Sequence, residues 1–304
     1  MSARVASERR ESSPAMANVL TVDVEEYYHG VEFGAALGPD GLARMPSRVV
    51  AETERLLDVL DEHGARGTFF TLGIVADRFP PLVRAIAARG HEIASHGWDH
   101  RAVDALGPAR FRGDVRAAKR ALESAIGQPV WGYRAPNYSI RGETPWALSI
   151  LYEEGHAYDS SVYPIAHDRY GFPAAPRFPH AIATGDGSLW EVPIGTARLF
   201  GTNLPLGGGF FRLVPERLIS GAVASVNRID GRPVVLYVHP WEFDPDQPRP
   251  PMSWAHRLRH YVGIAGAEDK LRALLRRFRF TSIERAFAHV RPRGVVPDVH
   301  RAAS

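Results

Sequence analysis

The chain has 304 residues, 45% hydrophobic and 23% charged, an ordinary globular composition with length for one large α/β domain or two smaller ones. It has no cysteine, which excludes disulfides, thiolate metal sites and cysteine nucleophiles and leaves His and carboxylates as the metal donors. The net charge of +3 is too mild to imply nucleic acid as a partner.

Residues 1–17 read as a flexible polar leader without the apolar core of a signal peptide. No apolar run reaches the roughly 18 residues of a membrane span, so a cytoplasmic protein with no transmembrane segment is expected. Residues 19–24 are an apolar run ending in acids, a first buried strand. Residues 47–60 form an amphipathic helix with Ser47 as N-cap and Gly64 as stop. Residues 67–72 are a second strand, 81–89 a helix closed by Gly90, and 92–94 a short third strand running into Ser95 and His96. Residues 108–126 carry apolar side chains at helical spacing up to Gly127. Residues 130–133 are a fourth strand and 144–154 a helix. Residues 162–187, rich in Pro, Gly and aromatics, read as a long irregular loop. Residues 189–194 are a strand, 215–229 a helix, and 233–238 a strand that delivers His239.

This alternation predicts a parallel α/β architecture, most simply a barrel, in which polar residues just past the C-terminal strand ends build the active site. Asp23, Glu25, His96, Arg134 and His239 all fall at such ends. Beyond Trp254, Leu271, Leu274, Leu275 and Phe278 form one helical face, with Lys270, Arg272, Arg276, Arg277 and Arg279 elsewhere. That pattern reads as a helix packed on the barrel with a solvated basic side; a surface for anionic glycans or lipid headgroups is the alternative.

His96 and His100, four apart, can aim two imidazoles at one point, and with a carboxylate they make a three-ligand divalent site. Asp23 and Glu25, two apart on an extended strand, face one side. Like charges sharing a space repel unless a cation compensates, so one acid could ligate while the other acts as base. Glu26 faces the other way and reads as a partly exposed acid. Arg134 needs a carboxylate partner if buried and would hold and orient Asp23; an ordinary ion pair on the rim is the plainer reading. His239 is either a core histidine or a general acid. His29 is a reserve ligand. Trp98, Tyr138, Trp190 and Trp241 are candidate platforms for sugar faces, Pro136 and Asn137 adjoin them as substrate-binding positions, and Gly207–Gly209 beside Phe210 and Phe211 form a candidate lip of the cleft.

Taken in order, T-V-D-V-E, S-H-G-W-D-H, R-A-P and L-Y-V-H-P resemble the motifs of the polysaccharide deacetylases, the NodB-homology or carbohydrate esterase family 4 enzymes. D-V-E-E-Y-Y-H, Y-R-A-P-N-Y-S-I, Y-D-S-S-V-Y-P, N-L-P-L-G-G-G-F-F-R and H-P-W-E-F-D-P-D-Q-P are similar to the subgroup found in exopolysaccharide loci with exosortase (PEP-CTERM) sorting systems. The resemblance implies a distorted (β/α)7-type barrel over residues 18–240 and a C-terminal helical extension of unassigned function over 241–290; the chain from 291 reads as a frayed tail. It implies removal of N-acetyl groups from amino sugars with a divalent metal, zinc foremost and Co2+, Ni2+ or Mn2+ as alternatives. Asp23 would be the base, Arg134 its orienting partner and His239 the general acid. Where the family has a second Asp as ligand this chain has Val24, so Glu25 would take that place beside His96 and His100. Asp159 and Glu191 are candidates for the carboxylate that tunes the histidine. The implied partners are an N-acetylated glycan and, peripherally, a membrane-bound glycan assembly system. A same-fold hydrolase of a small cyclic amide or ureide, and an inactive glycan-binding or scaffold protein, are the competing readings.

Overall fold

The computed structural model describes residues 16–167, 170–185 and 187–290; the leader before Met16 and the tail from 291 lie outside the described residues. Its strands are β1 (Ala17–Val24), β2 (Thr68–Thr71), β3 (Glu92–Ser95), β4 (Gly132–Tyr133), β5 (Tyr158–Asp159), β6 (His180–Thr184), β7 (Gly187–Glu191), β8 (Thr196–Leu199), β9 (Thr202–Pro205), β10 (Val235–Val238) and β11 (Arg279–Thr281). The path β10-β1-β2-β3-β4-β5-β7 is parallel throughout, and β6 adds antiparallel at its edge. The seam between β7 and β10 is spanned by single contacts: the Gly195 N–H donates to the Val235 carbonyl at 2.8 Å, and Gly207 bridges to Tyr237. This is the distorted (β/α)7-type barrel expected from the sequence.

The two-residue period of the strands sorts their side chains. Leu20, Val22 and Val24 of β1 join the outer core beneath the helices, with Leu56, Leu60, Val83 and Leu122. Val19 faces the opposite way, into a core with Phe70, Tyr158, Val192 and Tyr237. The same alternation carries Thr21 and Asp23 to the side where Arg134 meets both. Along β10 it takes Val235 and Tyr237 inward, so His239, next in that series, follows them.

Several boundaries differ from the sequence reading. The helix expected from Ser47 begins at Val49. Ser47 does not cap it; the Glu26 carboxylate does, accepting from the Arg48 and Val49 N–H groups at 3.0 and 3.3 Å and from the Ser47 hydroxyl. Glu26 is therefore buried rather than partly exposed. The expected loop 162–187 ends in β6, whose ladder with β7 runs from His180–Glu191 to Thr184–Gly187. A helical segment at Val31–Leu42, broken at Gly38, was not legible because Gly34, Gly38, Pro39 and Gly41 erase the propensity signal. The hairpin β8–β9 also went unseen.

Segment 241–290 contains the helices Trp254–Tyr261 and Ala267–Arg277 and also returns a strand to the barrel. β11 pairs in parallel with the first residues of β1, Ala17 to Val19, ahead of the stretch where β2 takes over at Thr21. Leu271, Leu274 and Leu275 are buried as their spacing predicts. Lys270, placed on the solvated side by sequence, instead donates to the carbonyls of Phe211, Arg212 and Val214 at 2.6–2.9 Å, capping the end of the helix Gly208–Leu213.

At the strand N-termini, Glu92 of β3 accepts from the Thr68 hydroxyl, the Tyr158 hydroxyl and the Glu284 N–H. Burial, with the charge of Glu284 second, pushes its carboxyl up to about 7 despite these donors. Between the ordinary value and about 7 the folded chain holds a proton that the unfolded chain releases. Stability therefore falls as pH rises through that window and is level above it, a loss of the order of 3 kcal/mol. Glu92→Gln is expected to remove this slope and to stabilise the protein at pH 8; urea melts at pH 5 and pH 8 that show the wild-type slope unchanged in the variant would refute this.

Candidate active site

One end of the barrel gathers the polar residues. Asp23 is the penultimate residue of β1 and Glu25 follows that strand; His96 follows β3, Arg134 follows β4 and His239 follows β10. The Arg134 guanidinium is fully buried. It donates to Asp23 Oδ1 at 2.6 Å, Thr21 Oγ1 at 2.9 Å, and the carbonyl and hydroxyl of Ser160 at 3.1 and 2.9 Å, and lies 4.0 Å from the Phe70 ring centre. The pair is thus a buried, fully engaged contact rather than a rim ion pair.

Glu25 Oε2 is 2.6 Å from His100 Nε2 and 3.9 Å from His96 Nε2. The short contact is not aligned as a hydrogen bond, and Glu25 Oε2 is a buried atom without a hydrogen-bond partner. The other oxygen accepts from Trp241 Nε1 at 3.3 Å. Burial alone would raise this carboxyl, but His100, and behind it His239 and His96, outweigh burial and hold it well below the usual carboxylate range. His96 Nδ1 is 2.9 Å from the Arg134 carbonyl, and burial pushes its pKa down to about 4. A neutral ring donating from Nδ1 leaves Nε2 as a lone-pair donor toward Glu25. His100 reaches the group through a left-handed backbone, φ 65°, a conformation rare for a non-glycine residue and concentrated at functional sites. The ligand atoms of Glu25, His96 and His100 lie within 4.8 Å of one another, a group that can hold a metal ion. An unpartnered buried carboxylate oxygen facing two imidazoles fits a divalent cation in donor type. His29 does not join them; its ring stacks on His100, centroids 5.6 Å apart, while its Nδ1 accepts from the Glu26 N–H.

His239 Nε2 sits 4.0 Å from Asp23 Oδ2 and 3.8 Å from Glu25 Oε1. Its Nδ1 faces Glu242 Oε2 at 3.4 Å, and the same carboxylate oxygen accepts the His239 N–H at 2.9 Å. Burial would lower the imidazole, but Glu242 overrides it, followed by Glu25 and Asp23, and lifts the pKa to about 9. Glu242 was not singled out from sequence, although its place three residues after His239, where the chain turns through Pro240–Phe243, is the signal that could have found it. Asp159 and Glu191 face one another across the β5–β7 register, with Asp159 Oδ1 accepting from Ser161 and Glu191 Oε1 from the Val162 N–H.

Asp23, Glu25, His96, His100 and His239 line a cleft of about 640 Å³, together with Asn137, Tyr138, Arg141, Tyr170, Phe210, Tyr237, Trp241 and Arg259. Asn137 and Tyr138 turn into it with φ of 55° and 51°. Two expected platforms are elsewhere. Trp98 packs between two helices, where a Cβ on Gly73 would come within 2.5 Å of its ring and 2.8 Å of the Ala118 backbone. Trp190, on β7, meets the His289 ring at 4.5 Å. Pro136 packs beside Gly97 and does not line the cleft.

Residues 40–151 match the family model for polysaccharide deacetylases. The chain carries a polysaccharide deacetylase domain. Residues 160–288 match a second model, a domain of unknown function (DUF3473). A chitooligosaccharide deacetylase from Bradyrhizobium sp. (strain ANU 289) is 33% identical over 99 residues, 33% of this chain and 43% of that protein. One from Sinorhizobium fredii (strain NBRC 101917 / NGR234) is 36% identical over 106 residues, 34% and 46% of the two chains. The chain thus spans less than half the length of these relatives. In fold, the chain is similar to a solved structure of a candidate polysaccharide deacetylase from Mycobacterium smegmatis, with a TM-score of 0.58 and 24% identity over 94% of each chain.

Titration calorimetry with zinc on the metal-stripped protein is expected to give one site per chain. His96→Ala and Glu25→Ala should each weaken it by at least about 100-fold, since loss of an outer partner alone costs 10–100-fold; wild-type affinity in either variant would remove that residue from the ligand set.

Proposed function

We propose that the protein is a metal-dependent hydrolase that removes N-acetyl groups from amino sugars of a poly- or oligosaccharide, in the service of exopolysaccharide formation, with residues 18–240 as the catalytic barrel and 241–290 as its extension. The observation that carries this reading is the convergence, at one barrel end, of three distinct units: Asp23 on Arg134, Glu25 with His96 and His100, and His239 on Glu242. Glu25, His96 and His100 would hold the cation, zinc foremost, and when bound it supplies Lewis-acid polarisation of the acetyl carbonyl and a lowered pKa for water.

The remaining chemistry belongs to side chains. Asp23, oriented by Arg134, accepts the proton of the attacking water. His239, which Glu242 keeps protonated at neutral pH, gives its proton to the amide nitrogen as the C–N bond breaks, so that acetate and a free amine leave. Trp241 and Tyr138 remain the aromatic surfaces for the sugar, and Asn137 lines the cleft with them.

The decisive experiment is acetate release from N-acetylglucosamine oligomers by metal-stripped protein reloaded with zinc or cobalt. Release should depend on metal and fall by about 10²–10⁴ in Asp23→Asn with metal binding retained. Equal release without metal, or by the variant, would overturn the mechanism; a wild type that binds metal and releases nothing would overturn the substrate assignment. The pH profile gives a separate check. Activity needs the protonated form of His239, so kcat should decline as pH rises through about 9. Glu242→Gln should move that alkaline limb toward the ordinary histidine value and lower kcat up to about 30-fold at pH 8; an unmoved limb would free His239 from Glu242.

A further inference from the structure

The helix Trp254–Tyr261 packs with its polarity reversed. Its inward side chain is His260, buried, with Nε2 2.6 Å from Gln247 Oε1 and its ring stacked on Trp241 at 4.6 Å. Trp254 and Leu258, four apart and so on one face, point outward and are 78% and 56% exposed. At 3.6 residues per turn, Arg257 and Arg259 fall on either side of that stripe, and both are exposed. The segment W-A-H-R-L-R-H-Y contains no acid.

The neighbouring helix, Gly208–Leu213, adds two exposed apolar side chains, Leu213 at 58% and Phe210 at 38%. Arg212 joins the two helices. Its guanidinium donates to the carbonyls of His260, Val262 and Arg259 and to Glu242 Oε1. A Cβ at Gly263 would lie 2.5 Å from the Arg212 carbonyl oxygen, so the joint is tight as well as bonded. Phe210, Leu213, Arg259 and His260 line the cleft, so the helix that carries Trp254 and Leu258 on its outer face supplies part of the cleft wall through its last turn.

We propose that this helix docks the protein on an anionic membrane surface, with Trp254 and Leu258 entering the headgroup region and Arg257 and Arg259 on lipid phosphates, beside the cleft that its last turn lines. An exposed Trp–Leu stripe bordered by arginines is the composition that lies in a membrane interface. Among the described residues no helix is long and apolar enough to cross a membrane, and the proposed contact lies in the interface. Charge argues against a second copy as the occupant. A two-fold contact sets the same patch against itself, bringing the Arg257 and Arg259 rows together with no acid on the helix between them; Glu32, from another helix, is 4.0 Å from Arg259 on its own chain and is itself buried. Resting on the deacetylase reading, docking beside the cleft selects glycans carried at a membrane surface.

The test is sedimentation of the full chain with phosphatidylcholine vesicles, with and without phosphatidylglycerol. The wild type should sediment with the anionic vesicles and be released by salt. Trp254→Ser with Leu258→Ser should cut partitioning at least about tenfold, and Arg257→Glu should weaken it and flatten its salt dependence. An unchanged melting temperature and unchanged acetate release from soluble oligomers in the double variant would place the loss in docking rather than folding or chemistry. A wild type that stays in the supernatant, a double variant that sediments like the wild type, or a wild-type dimer that the double variant dissolves in sedimentation velocity would each overturn the proposal. Failure of the deacetylase reading shows instead as absent acetate release from soluble oligomers, whatever the vesicles report.

Discussion

A guanidinium with no solvent contact at the centre of the barrel sets the terms for the rest of the site. Arg134 has given up water entirely, a cost that stands only if its donors and its charge are matched. They are matched by four acceptors on two different segments: Thr21 and Asp23 of β1, and the carbonyl and hydroxyl of Ser160 just past β5. The strand ends are thereby held in one relative position, and Asp23 is held in one orientation, before any substrate enters. His96 is drawn into the same framework because its Nδ1 meets the carbonyl of Arg134 itself.

The second organising feature comes from the later part of the chain. Glu242 faces His239 on one oxygen and Arg212 on the other, and Arg212 in turn grips the carbonyls at the end of the helix Trp254–Tyr261. Trp241 lies between the rings of His239 and His260 and donates to Glu25. The segment after the last barrel strand therefore does more than cover a surface. It supplies the groups that set the charge of His239 and that steady Glu25, and through β11 it also completes the sheet at the opposite end of β1.

Much of this was legible in the chain. Asp23, Glu25, His96, Arg134 and His239 each end or follow an apolar run, and a strand's two-residue period decides which way each one points. That local rule is enough to predict a polar cluster at one barrel end, and the structure does bring all five together. Aromatic residues were less readable. Trp98, Trp190 and Trp241 look alike in sequence, yet only Trp241 reaches the cleft. Trp98 fills a gap left by the missing side chain of Gly73, a fit between segments that no local pattern records. Glu26 was misread for the same reason: its partners, the first N–H groups of a helix, lie more than twenty residues away.

The sequence by itself determined the strand–helix alternation, the absence of sulfur chemistry and the placement of acids and imidazoles at strand ends, because these depend on residue type and on spacing within one segment. Only the tertiary structure decided that Glu242 rather than Asp159 or Glu191 faces His239, that His29 braces His100 instead of joining Glu25 and His96, and that Lys270 caps a distant helix. Each of those outcomes is a choice among buried partners of similar chemistry, and it is made by which segments pack within hydrogen-bond reach once the barrel has closed.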